Sequence, residues 1–229
     1  MARDFNGTNE NISFGSDASV DDFAPTGISI SLWFQWDASG VVDIHVSKGG
    51  LATGWIFQTV AGNSLTFRHP WSSAVNVGWA GTTTFNGAAP RHICVTYDGS
   101  ADTNDAVIYV NGVAESMSEV SGPPSGTIAS EAANSLIIGE NSAGGADFDG
   151  RICVLAVANE VFSAADVNRA RWWGRAKGGL DVYHPLYTDK LANEGSATAA
   201  GSATGTTLVT MVCPVVRPGS AMMGMGVGW

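Results

Sequence analysis

The carboxylates of this chain are not arranged for glycoside hydrolysis, which needs two carboxyl groups about 5–10 Å apart facing a cleft. The seven glutamates stand singly, near predicted turns and strand ends. Asp147 and Asp149 alternate, but Gly150 follows them, and this setting favours a turn or a cation site. The sequence therefore predicts that the protein is not an enzyme.

Histidine and serine motifs give no stronger indication of catalysis. His45, His69, His92 and His184 are scattered, without the H-x-x-x-H or H-E-x-x-H spacing of zinc sites. No G-x-S-x-G elbow supports a serine nucleophile, although a Ser-His-Asp arrangement built from distant residues stays open. The chain also lacks the G-x-x-x-x-G-K-[ST] loop that binds phosphates.

Two predicted loops are rich in the oxygen ligands that calcium prefers. Both are bounded by predicted strands, and the alternative is that these residues only form turns. Calcium is the one cofactor that the sequence favours. The candidate ligands are Asp98, Asp102, Asn104 and Asp105 in the first loop and Asp147 and Asp149, near Asn141, in the second.

A sugar site would combine an exposed aromatic face with polar side chains that bond the hydroxyl groups. Trp71 and Trp79 are the candidate stacking rings, because they lie in and after a turn-rich stretch, and His69 and Arg68 stand beside them. The alternative is that these rings belong to the core, as large aromatic residues of sandwiches usually do. Trp33 is expected in the core, and the same question stays open for Trp36 and Trp55.

Composition favours an all-β protein. The chain has 229 residues, of which 45% are hydrophobic, 14% are charged and 29 are glycine. Its net charge of −10 and its lack of a Lys/Arg cluster argue against nucleic acid and anionic membranes as partners. We expect cytoplasmic synthesis without a signal peptide or transmembrane segment. Cys94, Cys153 and Cys213 are expected to be reduced, buried thiols.

Alternating and β-branched runs predict the strands, and one segment predicts a helix. The helix should span Ala164–Trp173, with Ser163 as its N-cap and Asp166 completing a capping box. Asn111 and Gly112 predict a type I′ turn. The predicted strands are Ile28–Phe34, Trp55–Val60, Ser64–Phe67, Arg91–Tyr97, Ala106–Val110, Leu136–Gly139, Arg151–Ala158 and Leu180–Tyr187.

The composition changes after about Ala176, towards Ala, Gly, Ser and Thr and then a Met/Gly-rich end. Glycine supplies no packing surface, so this end cannot build a core of its own. We expect it to dock on neighbouring copies or another protein, with folding back onto its own sandwich as the alternative. The predicted assembly residues are Val212, Val215, Val216, Met222, Met223, Met225 and Trp229.

Seven blocks together resemble laminin-G-like domains of the concanavalin A-like lectin/glucanase superfamily. The resemblance implies an all-β jelly-roll sandwich of two antiparallel sheets over residues 1–175, with one short helix, followed by a C-terminal extended arm at residues 176–229. The E-x-D-x-x-E run of the glucanase branch is absent. The blocks are Asp4–Ile12, Ile28–Phe34, Ser47–Gly50, Arg91–Gly99, Ala106–Gly112, Leu136–Glu140, and Phe148–Ile152 with Val161–Val167.

The sequence leaves three functions as alternatives. The resemblance and the apolar C-terminal arm favour a non-enzymatic structural protein of a tailed-bacteriophage virion, such as a capsid decoration protein. Its partners would be further copies of itself and a major capsid or other virion protein, and its location the virion surface. The alternative is a carbohydrate-binding, lectin-like module for surface adhesion, with glycans as partners. A polysaccharide hydrolase is supported by fold analogy alone.

Overall fold

The computed structural model describes residues 2–37, 41–74, 76–85, 87, 89–141, 143–173, 182–184, 186 and 201–209. Across these residues the chain forms a sandwich of two antiparallel sheets, as the sequence predicts, with one α-helix, α1 (Ala164–Trp173). No helix within these ranges is long and apolar enough to cross a membrane.

Sheet A carries the helix on its outer face. Strands are numbered in chain order. The spatial order in sheet A is β10 (Val113–Ala114), β9 (Val107–Val110), β8 (Arg91–Tyr97), β3 (Ile28–Trp36), β13 (Asp149–Ala158), β1 (Ala2–Asn6) and β16 (Thr207–Val209), and β14 (Val182–His184) also pairs with β13.

The outer face of sheet B carries a groove, described below. The spatial order in sheet B is β11 (Met117–Val120), β7 (Gly78–Thr84), β6 (Ser64–Arg68), β5 (Trp55–Thr59), β4 (Asp43–Lys48), β12 (Leu136–Ile138), β2 (Asn11–Ser13) and β15 (Ser202–Thr204).

The core lies between the two sheets and is built by the alternation of each strand. In β5, Trp55 and Phe57 point inward, while Ile56 and Gln58 point outward. Burying each large apolar side chain of this kind contributes about 1.5–3 kcal/mol. His45 also lies in this core, where its Nε2 atom is 2.6 Å from Thr59 Oγ1 and burial lowers its pKa to about 3.

A second apolar cluster fills the space between sheet A and α1. Trp33, Val154 and Val167 belong to it, and the indole Nε1 of Trp33 donates to the carbonyl of Arg171 at 2.9 Å. The predicted capping box is confirmed, because the Asp166 amide donates to Ser163 Oγ and the Ser163 amide donates back to Asp166 Oδ2. These contacts fix the helix across β3 and β13.

The cysteine prediction holds for one residue and is wrong for another. Cys94 is a free thiol in the cluster under α1, and its burial raises its pKa. Cys153 lies in the same cluster at a bulge of β13 and is disulfide-bonded. At the bulge, Cys153 and Val154 both belong to the outer cluster although they are consecutive. Three cysteines allow one disulfide beside one free thiol, so their odd number does not exclude a pair. Residue 213 lies outside the described residues.

The sandwich does not end at residue 175. Residues 182–184 pair with β13, and residues 202–209 supply β15 to one sheet and β16 to the other. The described part of the predicted arm therefore folds back onto this chain. Val212, Val215, Val216, Met222, Met223, Met225 and Trp229 lie outside the described residues, so the predicted assembly contact stays a prediction.

Candidate functional site

A groove of about 280 Å³ opens on the outer face of sheet B. We call it the sheet B groove. Its walls are mostly aliphatic, and its polar side chains are two amides, which makes it a concave apolar site with few polar groups. The lining residues are Val42, Ile44, Gly50, Leu51, Ile56, Gln58, Asn141, Ala143 and Ala146.

Two neighbouring strands form the floor of the groove. Ile44 of β4 is opposite Gln58 of β5, and Ile56 is two positions before Gln58 on the same face. Ile44 and Ile56 are each only 2% exposed, so the floor is packed although it faces outward. Val42 and Leu51 are 40% and 41% exposed and leave apolar surface at the rim.

The loop between β4 and β5 holds Leu51 in place through its own backbone. The amides of Thr53 and Gly54 both donate to the Gly50 carbonyl, at 3.2 and 3.1 Å. A Cβ atom at Gly54 would lie 1.8 Å from the Lys48 carbonyl oxygen, so only glycine fits there. Asn134 Nδ2 donates to the Thr53 carbonyl at 2.7 Å and ties the loop to the next connection.

The connection between β12 and β13 forms a second wall. The Ile44 amide donates to the Ala146 carbonyl at 2.9 Å, which brings this loop against the start of β4. Asn141 Oδ1 accepts from the Ala143 amide at 2.8 Å and shapes the turn. No described residue accepts a hydrogen bond from Asn141 Nδ2, which leaves that donor available to a ligand.

Gln58 is the unusual residue of the groove. Its side chain is 6% exposed, yet its amide makes no hydrogen bond with any residue that the structure describes. Neither amide atom of Gln58 is among the fully buried polar atoms that lack a partner, so the amide keeps contact with water in the groove. An amide left unpaired at the floor of a groove is poised to bond a ligand.

No charged side chain of a described residue lines the sheet B groove. Arg68 lies on the same face, opposite Ile56, but its Nη1 atom donates to the Asn76 carbonyl at 3.2 Å and to Ser121 Oγ at 3.3 Å. Lys48 points into the protein, where it is 1% exposed and bonds Asp21 at 2.7 Å. Neither cation lines the groove, so it has no side chain suited to neutralise an acidic ligand.

The predicted stacking residues lie elsewhere and cannot serve as sugar platforms. Trp71 and Trp79 are 3% and 0% exposed, and His69 is fully buried. Their polar atoms are used internally: Trp71 Nε1 donates to Tyr97 Oη and Trp79 Nε1 to Asp105 Oδ1. The turn-rich sequence around Trp71 suggested exposure, but the chain packs both rings against Tyr97 or Phe67 in the core. The expectation for these three residues is wrong, whereas the expectation for Arg68, which is half-buried, stays a prediction.

Trp172 is an exposed tryptophan that the sequence analysis did not single out. It is 46% exposed on α1, and the guanidinium carbon of Arg171 lies 4.5 Å from its ring centroid. Val167 and Ala170 mark the buried side of the helix, and helical periodicity puts Trp172 off that side. This helical periodicity is the sequence signal that could have predicted the exposure of Trp172.

The first predicted calcium loop uses its polar groups to form turns. Asp98 Oδ1 accepts from the Ser100 amide at 3.0 Å, and the Asp98 carbonyl accepts from Asn104 Nδ2 at 3.1 Å. Asp105 bonds the Trp79 indole, and Asp102 is exposed. In the described part of the chain no three His, Cys, Asp or Glu side chains are placed to hold a metal ion. Calcium binding at this loop stays a prediction.

The second predicted calcium loop belongs to an acidic cluster near Arg151. Burial raises the pKa of Asp149, and Asp37 and Asp4 raise it further. Arg151 Nε donates to Asp4 Oδ1 at 2.9 Å and offsets part of this charge. Asp147 has one buried carboxylate oxygen without a partner. Calcium at Asp147 and Asp149 also stays a prediction, and the groove does not depend on it.

A buried Ser-His pair lies under α1, but it does not form a triad. Ser31 Oγ and His92 Nε2 are 2.9 Å apart, and His92 Nδ1 has no partner among the described residues. Burial, and then the charge of Arg171, lower the His92 pKa to about 3. Ser31 is 3% exposed, so no substrate reaches its hydroxyl. The pair is part of the packing between sheet A and the helix.

The sequence matches the family Laminin_G_3, described as "Concanavalin A-like lectin/glucanases superfamily", over residues 6–168. This chain belongs to that family. The match covers the strands from β2 to β13 and the start of α1, and it includes both walls of the sheet B groove. A comparison with curated proteins found no match.

Three solved structures illustrate the similarity of fold. A Bacteroides ovatus protein proposed to bind carbohydrate has a TM-score of 0.66 at 14% identity, over 95% of this chain and 62% of that longer one. A heptameric SAP-like pentraxin from Limulus polyphemus has a TM-score of 0.53 at 13% identity, over 74% and 80% of the two chains. The CBM40 of the Ruminococcus gnavus IT-sialidase, solved with α2,3 sialyllactose, has a TM-score of 0.53 at 10% identity, over 74% and 95%. At these identities the likeness is one of fold.

Proposed function

We propose that this protein is a carbohydrate-binding, lectin-like module that binds glycan in the sheet B groove and does not hydrolyse it. The observation that carries the proposal is the Gln58 amide, which is nearly buried at the groove floor and unpaired within the described residues. A sugar hydroxyl or amide would replace the water at this amide, while the aliphatic rim contacts the C–H faces of the ring.

Two further features support binding rather than catalysis. No carboxylate of a described residue lines the groove, so the described lining lacks the acid and the base or nucleophile of a glycosidase. The family includes lectins as well as glucanases, and two of the similar structures are described as carbohydrate-binding or contain a bound sialyllactose. These observations favour the carbohydrate-binding alternative over the predicted virion role.

The test is a glycan array with the full chain, with and without calcium, followed by titration of the strongest ligand. Leu51→Asp places a charge on the groove rim, and Val113→Asp, at a valine that is 68% exposed on sheet A, is the matched control. We expect Leu51→Asp to weaken binding about tenfold or more and Val113→Asp to leave it unchanged. Absence of binding at millimolar glycan, or equal effects of the two variants, would contradict the proposal.

A further inference from the structure

The lining of the sheet B groove favours one chemical class of sugar over others. A hydroxyl-rich hexose presents mostly polar edges, whereas this groove offers aliphatic side chains around two carboxamides. Gln58 and Asn141 each carry an amide with a C=O acceptor and an NH₂ donor. Their surroundings are Val42, Ile44, Leu51 and Ile56.

An acetamido group fits this combination of side chains. Its N–H and C=O groups pair with a carboxamide such as that of Gln58, and its methyl group packs against the exposed side chain of Val42 at the rim. We infer that the groove binds an uncharged N-acetylated hexosamine, with the acetamido group against Gln58 and the sugar ring towards Leu51. This inference rests on the proposed function and names its ligand class.

The charges on this face exclude an acidic sugar as the preferred ligand. An acidic sugar such as sialic acid also carries an acetamido group, but its carboxylate needs a cation or several donors when it leaves water. Among the described residues the groove lining holds no Lys or Arg, and Arg68 is occupied by Asn76 and Ser121. The net charge of −10 adds a general repulsion for anions.

The size of the groove limits what it encloses. A volume of about 280 Å³ lies just below the range of about 300–1,000 Å³ that is typical of pockets for larger ligands. One sugar residue is therefore enclosed, and further units of an oligosaccharide extend over the exposed rim. The substituent at C2 of that sugar then determines much of the affinity.

The experiment compares two trisaccharides that differ in this group. Chitotriose carries acetamido groups where cellotriose carries hydroxyls, with the same linkage between the sugars. We expect the full chain to bind chitotriose about tenfold more tightly than cellotriose in calorimetric titrations, which corresponds to one or two net hydrogen bonds. We also expect sialyllactose to bind no more tightly than lactose.

Two glutamines supply a matched pair of variants. Gln58→Leu removes the groove amide at similar volume and should reduce the chitotriose preference to less than about threefold. Gln35→Leu removes the amide of a sheet A residue that bonds Asp37 at 3.4 Å, and it should keep the full preference.

The outcomes separate this inference from the proposed function. Equal binding of chitotriose and cellotriose in the groove, or a preference for sialyllactose over lactose, overturns the N-acetylhexosamine inference and leaves a carbohydrate-binding module. Retention of the full preference in Gln58→Leu overturns the assignment of the acetamido group to Gln58. Binding of no saccharide at all overturns the inference together with the proposed function.

Discussion

The polar side chains on the outer faces of the two sheets differ in their hydrogen bonding and in their access to solvent. On sheet A, α1 covers the face: Ser29 Oγ donates to the Glu160 carbonyl, Ser31 bonds His92, and the Trp33 indole bonds the Arg171 carbonyl. On sheet B, two loops border the groove, and the Gln58 amide makes no hydrogen bond with a described residue but keeps contact with water. His92 Nδ1 under α1 also lacks a described partner, but it is fully buried, so of these two groups only the Gln58 amide is available to a ligand.

The largest expected effect is on the covered face. Trp33→Ala removes a side chain that is 5% exposed and packed under α1, and it should lower the free energy of unfolding by about 3–5 kcal/mol. Urea denaturation monitored by circular dichroism measures this loss. Glycan affinity per folded molecule should stay the same. Trp172→Ala, at the half-exposed neighbour on the helix, is the control and should cost far less.

The pH dependence of the free energy of unfolding gives an effect of intermediate size. It arises from His92 on the same face of sheet A. The His92 pKa is lowered from about 6.5 to about 3 in the folded protein, chiefly because the side chain is buried. The unfolded chain therefore binds a proton that the folded chain does not as the pH falls below about 6.5. Stability from this group is present above that pH and is lost on acidification, with a slope of at most about 1.4 kcal/mol per pH unit.

The variant His92→Gln isolates this contribution, since His45 remains to titrate in the core. Urea denaturation at pH 7, 6 and 5 should show a shallower fall in stability for the variant than for the wild type. Parallel curves for the two proteins would mean that His92 is accessible to protons in the folded state. That result would contradict the conclusion that α1 shields His92 from solvent.

The smallest expected effect on the free energy of unfolding comes from a substitution in the groove. Its sign is opposite to that of Trp33→Ala. Gln58→Leu replaces an unpaired, nearly buried amide by an apolar side chain among Ile44 and Ile56. It should leave the free energy of unfolding unchanged or raise it by up to about 1 kcal/mol, because no hydrogen bond is lost. Chemical denaturation measures the change. A loss of more than about 1 kcal/mol would show that Gln58 contributes to the fold.

Local patterns in the sequence predicted the elements well. Arg91–Tyr97 and Ala164–Trp173 have the predicted bounds, because alternation and a capping box are encoded by residues close in the chain. Asn111 and Gly112 have φ angles of 52° and 82°, as the predicted type I′ turn requires. The strands added by residues 202–209 were not predicted, because Ala, Gly, Ser and Thr give little periodic signal.

The site was harder to predict than the fold. Trp71 and Trp79 were chosen because they are aromatic and near turns, but burial depends on which residues pack against them. Alternation in β5 does indicate that Gln58 points outward. It does not reveal the groove, because the walls come from Leu51 and Asn141, which are far apart in the sequence and meet only through the pairing of β4 with β12.

The most direct test of the account is to locate the bound sugar by NMR titration of the isotopically labelled full chain with chitotriose. The side-chain amide signals of Gln58 and Asn141 and the backbone amide of Leu51 should shift with one common binding isotherm. The Trp33 indole signal and the Val167 amide, under the helix on the other sheet, should remain in place. Shifts confined to Trp172 and its neighbours, with Gln58 unmoved, would contradict the claim that the sheet B groove is the binding surface.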